Sequence, residues 1–327
     1  MAAYRLGASG AVVEQIQQAL KAASLYVGPV DGVFGGNTEA SVRRFQLAHH
    51  LNGDGVVGEQ TWQALMPATA APVAALAGKG LDYRCVALTG TFETGKGIPE
   101  CFCGISGDFD KQGISFGVLQ WNFGQGSLQP LLHEMIETHR DVTESIFGAN
   151  FKTVREAVLM SQKPDGQEEL VAFARSIQHP VTHRIFEPWL GYARALGRTS
   201  EFQAIQVKYA GKAFQRALEL AQEFDVASER AVALMFDIVT QNGSIRAVTK
   251  SQIERDIERV PESLAANDRE VAVLRIVANR RAEAANPIWV DDVRRRKLCI
   301  ANGQGTVHGL HFDLESDFSI GLARFNG

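Results

Sequence analysis

One short, glycine-rich stretch of the chain, residues 92–122, contains several carboxylic acids, two of which are candidates for a catalytic pair. Glu93 lies near its start, and Asp110 follows seventeen residues later. Cleavage of a glycosidic bond needs two carboxyl groups in different environments. One stays protonated and donates to the leaving oxygen, while the other is ionised and activates water or stabilises positive charge. Because one piece of chain supplies both acids, it predicts a glycan hydrolase.

The two acids differ in their neighbours along the chain. Glu93 follows the apolar residues 86–88 and Phe92, so we expect an apolar wall that keeps its carboxyl protonated, as a general acid requires. The alternative is a glutamate at the end of a helix in solvent. Asp110 is expected to be the ionised partner that positions water together with Ser115, and Asp108 competes with it for this role. The alternative for the D-F-D segment that holds both aspartates is a turn or an adventitious cation site.

Polar and aromatic side chains at two further places are candidates for binding sugar through amide hydrogen bonds and ring stacking. Gln120, Trp121 and Asn122 end the glycine-rich stretch, and Gln241 and Asn242 lie in a later helical segment. We expect them to line a substrate cleft. The alternatives are a core position for Trp121 and a helix C-cap at Asn242, which precedes a glycine.

The chain that must position these side chains divides into three parts. Residues 1–66 are expected to form a small unit, residues 67–80 are rich in Ala, Pro and Gly and predict a linker, and residues 81–327 form a larger domain. We predict a mainly α fold, in which a three-helix bundle precedes an α-rich domain with a short hairpin within residues 104–118. Amphipathic periodicity places helices of the larger domain near residues 127–147, 151–162, 166–178, 182–196, 199–223, 226–241, 249–260 and 267–284.

Composition and charge argue against several classes of function. A net charge of −4 does not suit a nucleic-acid binder, and no run approaches the ~18–20 apolar residues of a membrane span. The N-terminal residues lack the pattern of a signal peptide, and no Cys/His group has zinc spacing. We therefore expect a monomer made in the cytoplasm, with no cofactor, no metal and no stable membrane insertion. The basic run of residues 294–297 predicts a solvated face, with contact to anionic wall or membrane groups as the alternative.

Residues 5–66 contain an imperfect internal repeat. GPVDGVFGGNTEASVRRFQ is followed by LNGDGVVGEQTWQAL, and each half has an Asp-Gly turn and then a Thr near the start of a helix. This pattern closely resembles the peptidoglycan-binding domain family of three-helix modules, whose D-G-x-F-G-x-x-T and D-G-x-x-G-x-x-T-W motifs it carries. The resemblance implies binding of cell-wall glycan or stem peptide near the first Asp-Gly turn, with Asp31 and Phe34 as candidate contacts. The alternatives are a turn former for Asp31 and a core ring for Phe34.

The larger domain resembles lysozyme-like glycosidases in the motifs around its acids. Phage-type lysozymes and bacterial chitosanases carry a Glu at the end of the first helix, and then a hairpin with an Asp, a Gly, a Thr or Ser, and a second Gly. Here Asp110, Gly113, Ser115 and Gly117 match that hairpin, and the separation from Glu93 is similar to that of chitosanases. This match favours Asp110 over its competitor. A wall-binding module in front of such a domain resembles the modular endolysins of phages that infect Gram-negative bacteria, such as the large Pseudomonas phages.

The resemblance implies a peptidoglycan glycosidase that cuts between N-acetylmuramic acid and N-acetylglucosamine in order to lyse a bacterial host. Water that attacks from the side opposite the acid would invert the anomer, and the two carboxyls would then lie roughly 6.5–9.5 Å apart. We expect the protein to reach the periplasmic wall through a holin-type pore. The alternatives are a lytic transglycosylase in which Glu93 alone is acid and base, a bacterial wall-remodelling or antagonistic effector, and a non-catalytic wall-binding protein.

Overall fold

The chain is mostly α-helical, with a few short antiparallel strands, and the mainly α fold class is thereby confirmed. It packs as two units, one of residues 1–84 and 218–327 and the other of residues 85–217. The division at residues 66 and 80 stays a prediction, and residues 70–75 of the expected linker lie outside the described residues. The computed structural model describes residues 4–8, 10–69, 76–160 and 166–325.

The first unit begins with a module of three helices, α1 (Ala11–Ala22), α2 (Gly36–Ala48) and α3 (Glu59–Leu65). The buried side chains of α1 recur every three or four residues, so one face of the helix is turned to the core. Phe34 and Trp62 are fully buried in that core. Burial of each such side chain stabilises a fold by about 1.5–3 kcal/mol.

A buried glutamine side chain holds the first Asp-Gly turn of the module. The Nε2 atom of Gln17 donates to Asp31 Oδ1 (2.8 Å) and to the carbonyl of Val33 (2.9 Å), and it lies 3.3 Å from Thr38 Oγ1. Its Oε1 atom accepts from the backbone nitrogen of Gly32 (3.0 Å). One amide therefore fixes both the turn and the start of α2, and all of its polar atoms are paired.

The second Asp-Gly turn repeats this arrangement with a glutamine from α2. The Nε2 atom of Gln46 donates to Asp54 Oδ1 (2.8 Å), to the carbonyl of Val56 (2.9 Å) and to Thr61 Oγ1 (3.1 Å). Its Oε1 atom accepts from the backbone nitrogen of Gly55 (2.9 Å). The internal repeat of the sequence is thus a repeated hydrogen-bond motif, in which each helix clamps the turn that follows it.

The second unit contains most of α4 (Leu81–Thr94) and a sheet of three short strands. The strands pair antiparallel in the order β1 (Ile105–Ser106), β2 (Ser115–Phe116) and β3 (Trp121–Asn122), so the expected hairpin is present and has a third strand. Helices then cover the apolar side of this sheet. They are α5 (Gln129–Thr138), α6 (Arg140–Phe147), α7 (Phe151–Met160), α8 (Gly166–Ser176), α9 (Trp189–Arg198) and α10 (Ser200–Tyr209). The next helix along the chain is α11 (Gly211–Glu223).

An aromatic pair and one buried amide attach the sheet to α10. Phe116 stacks on Phe202 with ring centroids 5.4 Å apart. Gln206 is fully buried, accepts from the backbone nitrogen of Val118 (2.8 Å) and donates to the carbonyl of Phe102 (3.2 Å). These contacts fix the chain on both sides of the β1–β2 hairpin.

The first unit resumes at residue 218, within α11. Its next helix is α12 (Glu229–Asn242), whose residues 230–238 are all buried. A helix that is buried on every side is central to its unit. Ser228 caps it by accepting from the backbone nitrogen of Ala231 (3.1 Å). The elements that follow are α13 (Ala247–Ile257), α14 (Ala266–Glu283), α15 (Val290–Asn302), the hairpin of β4 (Gln304–Val307) and β5 (Leu310–Asp313), and α16 (Leu314–Phe318).

Three charged side chains are buried together where α12 meets α15. The fully buried carboxylate of Asp237 accepts from Arg296 (2.6 Å) and from Lys297. Burial raises the pKa of Asp237, but the charges of the two cations outweigh burial and hold that pKa well below its ordinary value. The expectation of a solvated face for residues 294–297 is therefore wrong for these two cations, because Asp237 compensates their burial.

Candidate active site

Glu93 lies in the last turn of α4 and is exposed. The apolar residues 86–88 that precede it are fully buried and belong to the core. Val86 lies two helical turns before Glu93 on the same side of the helix, but it is fully buried in the core, whereas Glu93 is exposed at the helix end. The expected apolar wall thus supports the helix and does not enclose Glu93.

The end of α4 is packed tightly against the turn that joins β2 to β3. A Cβ atom at Gly90 would collide with the side chain of Val118, so only glycine allows the helix to approach this closely. One turn further on, a Cβ atom at Gly104 would lie 3.8 Å from the methyl group of Thr94. Glu93 is therefore located where the helix meets the start of the hairpin.

Asp108 is a structural residue of the β1–β2 loop. It is 7% exposed, and its carboxylate accepts from the backbone nitrogen of Gly113 (2.7 Å) and from Arg175 Nε (2.7 Å). Its own backbone nitrogen donates to Gln178 Oε1 (2.8 Å). Burial raises the pKa of Asp108, but the bonds from Arg175 and Gly113 outweigh burial and hold the pKa below its ordinary value.

Asp110 is exposed on the same loop, and no arginine or lysine among the described residues pairs with it. Its Oδ1 atom accepts from the backbone nitrogen of Gln112 (3.1 Å), which is the local bond of an Asx turn. Lys111, between them, has a φ of 65°, a left-handed conformation that closes the turn. The carboxylate of Asp110 is ionisable and accessible, whereas that of Asp108 is committed to Arg175.

A polar row crosses the sheet beside this loop, with Ser115 between Ser106 and Asn122. Ser115 is 8% exposed, and its hydroxyl has no hydrogen-bond partner among the residues that the structure describes. Its role in positioning water stays a prediction. Asn122 is 7% exposed, and its Oδ1 atom accepts from the backbone nitrogen of Gln125 (2.8 Å), so its amide builds the turn after β3.

The amide of Gln120 is also used by the protein itself. Its Nε2 atom donates to the carbonyl of Gly117 (2.8 Å), and its Oε1 atom accepts from Ser106 (3.2 Å). Trp121 is half-buried and packs against the apolar core of the second unit. Sugar binding by Gln120, Trp121 and Asn122 stays a prediction, and their observed contacts are structural.

Gln241 and Asn242 lie at the end of α12, in the first unit. Gln241 accepts from Lys297 Nζ (2.7 Å) and thereby extends the buried cluster around Asp237. Asn242 is the last residue of α12, and Gly243 follows with a φ of 80°, as expected for a helix C-cap. Their role as substrate contacts stays a prediction.

The two wall-binding candidates of the N-terminal module differ in accessibility. Asp31 is exposed, and the hydrogen bond from Gln17 lowers the pKa of its carboxyl, as does that from Val33. Phe34 has no exposed surface and is part of the module core, so it cannot touch a ligand in this conformation. Contact between Asp31 and the wall stays a prediction.

Two residues near the acids were not identified from the sequence. Phe109, between the two aspartates, is 71% exposed, and its ring lies 5.0 Å from that of His183 in an edge-on contact. The D-F-D spelling could have pointed to it as a surface for sugar stacking. Arg175 gave no such signal, because it lies 67 residues from Asp108 along the chain.

Two kinds of feature are absent from the part of the chain that the structure describes. Within residues 4–8, 10–69, 76–160 and 166–325, no group of three or more His, Cys, Asp or Glu side chains is arranged to hold a metal ion. In the same part of the chain, no helix has the length and apolar character needed to cross a membrane.

The N-terminal module is similar to known sequences. Residues 9–65 match the peptidoglycan binding domain family. The spore cortex-lytic enzyme of Bacillus cereus is 46% identical over 63 residues, which is 19% of this chain and 24% of that enzyme. The chain therefore spans about a quarter of the length of this curated relative.

The remote structural likenesses are to chitosanases. One chitosanase complex shares 13% identity with a TM-score of 0.40, over 71% of this chain and 95% of the other. A native chitosanase from Bacillus subtilis MY002 shares 14% identity with a TM-score of 0.37, over 70% of this chain and 88% of the other. At such low identity and overlap, no functional residue is transferred from them.

Proposed function

We propose that this chain is a glycoside hydrolase that binds peptidoglycan through its N-terminal module and cuts the glycan strands. The match of residues 9–65 supports peptidoglycan as the polymer that is bound. The similarity to a spore cortex-lytic enzyme supports hydrolysis of the wall. The observation that carries the chemistry is the contrast between the two loop aspartates. Asp108 is buried against Arg175, while Asp110 is exposed on the hairpin that packs against the helix bearing Glu93.

In this mechanism Glu93 is the general acid and Asp110 the ionised partner. Glu93 donates its proton to the glycosidic oxygen as the bond breaks, and Asp110 takes a proton from the attacking water. Ser115 provides a hydroxyl that orients this water, since it forms no other hydrogen bond to the described residues. Attack from the face opposite Glu93 inverts the anomer, which requires carboxyls about 6.5–9.5 Å apart.

The bond that we propose as the target joins N-acetylmuramic acid to N-acetylglucosamine, and the setting is lysis of a bacterial host. The module would keep the enzyme on its insoluble substrate, so that each cut is followed by another nearby. Tethering of this kind raises the effective concentration of the substrate without adding a contact at the catalytic acids.

Release of soluble fragments from purified sacculi tests the assignment of Glu93. We expect Glu93→Gln to lower the rate by about 10²–10⁴-fold, because a general acid contributes that much. Glu100→Gln is the matched control, since Glu100 lies in the same unit and forms an ion pair with Arg198 (2.7 Å). Equal loss in both variants, or no loss in Glu93→Gln, would refute the assignment.

A further inference from the structure

A polar cavity lies in the first unit, and its residues are remote in sequence from the loop of the two aspartates. Its volume is about 450 Å³, within the range of pockets that bind small molecules. The end of α12, the start of α13 and the end of α14 form its walls, together with the segment that leads into α15. Its lining includes Asn242, Arg246, Arg281, Trp289 and Asp292.

The cavity is cationic. Among the described residues, neither Arg246 nor Arg281 has an ion pair or a side-chain hydrogen bond. Burial lowers the pKa of Arg281, and the nearby charge of Arg246 lowers it further. The acid in the wall, Asp292, already pairs with His308, whose Nε2 atom lies 2.8 Å away. Two guanidinium groups therefore share one cavity, and neither of them forms an ion pair with its acid, Asp292.

An aromatic ring stands beside these two charges. Trp289 is 58% exposed, although it ends a short helical turn of residues 287–289 that is held by the Asn286 side chain. A large exposed ring at the edge of a cavity is typical of a binding surface, because it offers apolar area with a fixed orientation. Sugar rings present apolar C–H faces that pack on such a ring.

We propose that this cavity binds a carboxylate-bearing unit of peptidoglycan, with the sugar ring on Trp289 and the carboxylate between Arg246 and Arg281. The planar guanidinium is suited to carboxylates, because it donates two parallel hydrogen bonds. The carboxylate is that of the lactyl group of muramic acid or that of the stem peptide, which share this chemistry. The identification of the ligand as part of peptidoglycan rests on the proposed function, whereas the preference for a carboxylate rests on the two arginines.

Calorimetric titration of the full chain carrying Glu93→Gln tests this preference without cleavage. The probes are a peptide-free tetrasaccharide of alternating N-acetylglucosamine and N-acetylmuramic acid, the same tetrasaccharide with its lactyl carboxyls amidated, chitotetraose, and the free stem tetrapeptide. If the lactyl group is the source, we expect the acidic tetrasaccharide to bind about tenfold or more tightly than its amidated form and chitotetraose. If the stem peptide is the source, we expect the tetrapeptide to bind about tenfold or more tightly than these two neutral probes. Which of the two acids is preferred identifies the source of the carboxylate.

Variants assign the preference to the cavity. In the same background, Arg246→Gln with Arg281→Gln should abolish the preference and leave binding of chitotetraose unchanged, while Trp289→Ala should weaken both kinds of glycan. Arg294→Gln is the matched control, because Arg294 pairs with Asp291 on α15 (3.3 Å) and does not depend on the cavity. Arg246→Gln alone, at an exposed position, serves if the double variant does not fold.

Equal binding of acidic and neutral probes by the parent protein would overturn the proposal. So would a preference that survives in the double variant, or one that Arg294→Gln abolishes equally. The N-terminal module is present in every variant, so it cannot cause a difference between them. If the Glu93→Gln protein shows the preference but the wild type releases no fragments from sacculi, the cavity proposal stands and the hydrolase proposal is refuted. If the wild type releases fragments and no preference is seen, only the cavity proposal is refuted.

Discussion

Exchange of each loop aspartate for asparagine should separate a structural acid from a catalytic one. Asp108→Asn keeps the size of the side chain but removes its charge and places an NH₂ group against a donor. The carboxylate accepts from Gly113 N and Arg175 Nε, both at 2.7 Å, and at most one of these bonds can survive. Asp110→Asn, in contrast, keeps an oxygen for the single bond from Gln112.

The structure gives different magnitudes for the two exchanges. A hydrogen bond to a charged group contributes about 1.5–3 kcal/mol, and Arg175 recovers part of this from solvent because its side chain is 54% exposed. We therefore expect Asp108→Asn to lower the free energy of unfolding by about 2 kcal/mol, or the Tm by about 4–8 °C. Asp110→Asn should change stability by less than about 0.5 kcal/mol and lower kcat by about 10²–10⁴-fold.

The dependence on pH provides a second readout. Because the pKa of Asp108 is lowered by folding, its carboxylate stabilises the protein above its unfolded pKa of about 3.9. This stabilisation is lost as the pH falls through the lower, folded value. Urea unfolding at a series of pH values should therefore show the wild type and Asp108→Asn converging below about pH 4.

Thermal unfolding and release of fragments from sacculi measure both effects on the same preparations. The expected result is a folded but inactive Asp110→Asn, and a destabilised Asp108→Asn that is active well below its Tm. If Asp108→Asn is as stable as the wild type and inactive, while Asp110→Asn retains activity, the assignment of the two aspartates is reversed.

Three further predictions concern stability and positioning. Asp237→Asn leaves two buried cations without their counter-ion and should lower the free energy of unfolding in urea by about 3–5 kcal/mol. Asp291→Asn, at an exposed ion pair, should lower it by less than about 0.5 kcal/mol, and equal small losses in the two variants would refute a buried ion cluster. Gln46→Ala removes an amide that makes four hydrogen bonds and should lower the stability of the module by about 2 kcal/mol or more, measured by its thermal transition; an unchanged Tm would contradict the clamp. Gly90→Ala forces α4 away from Val118 and should cost about 1–3 kcal/mol and lower kcat as well; full activity would show that this contact does not position Glu93.

The N-terminal module was predictable because its turns and helices are encoded locally. Asp-Gly pairs, threonines at helix starts and apolar spacing led to the three helices that the structure contains. The glutamine clamps were not predicted. Gln17 and Gln46 are polar residues at buried positions, and their partners include turns 14 and 8 residues away along the chain. Burial of a polar group depends on a partner that the local pattern does not identify.

In the larger domain, helices were predicted better than their ends. The segment 199–223 is two helices that meet at Ala210, and the segment 182–196 becomes helical only at Trp189. Before that point, Gln178 and Ile185 form a bridge that takes up the backbone groups of the segment. Tertiary pairing of this kind overrides local propensity.

The site shows the same limit. Glu93 and the two aspartates were proposed from residue type and spacing, and the hairpin resemblance favoured Asp110. The burial of Asp108, however, depends on Arg175, which is remote in sequence. The burial of Arg296 and Lys297 likewise depends on Asp237, 59 and 60 residues away. Arg296 and Lys297 were predicted to be solvated because only the fold brings their partner, Asp237, close to them.

Analysis of the products of purified sacculi tests the central claim most directly, since that claim is hydrolysis by Glu93 and Asp110. Digests made by the wild type and by Glu93→Gln would be reduced with borohydride and examined by mass spectrometry. We predict reducible N-acetylmuramic acid ends in the wild-type digest and none above background in the variant. Products that carry only anhydro ends, or intact glycan strands with cleaved peptides, would contradict the claim.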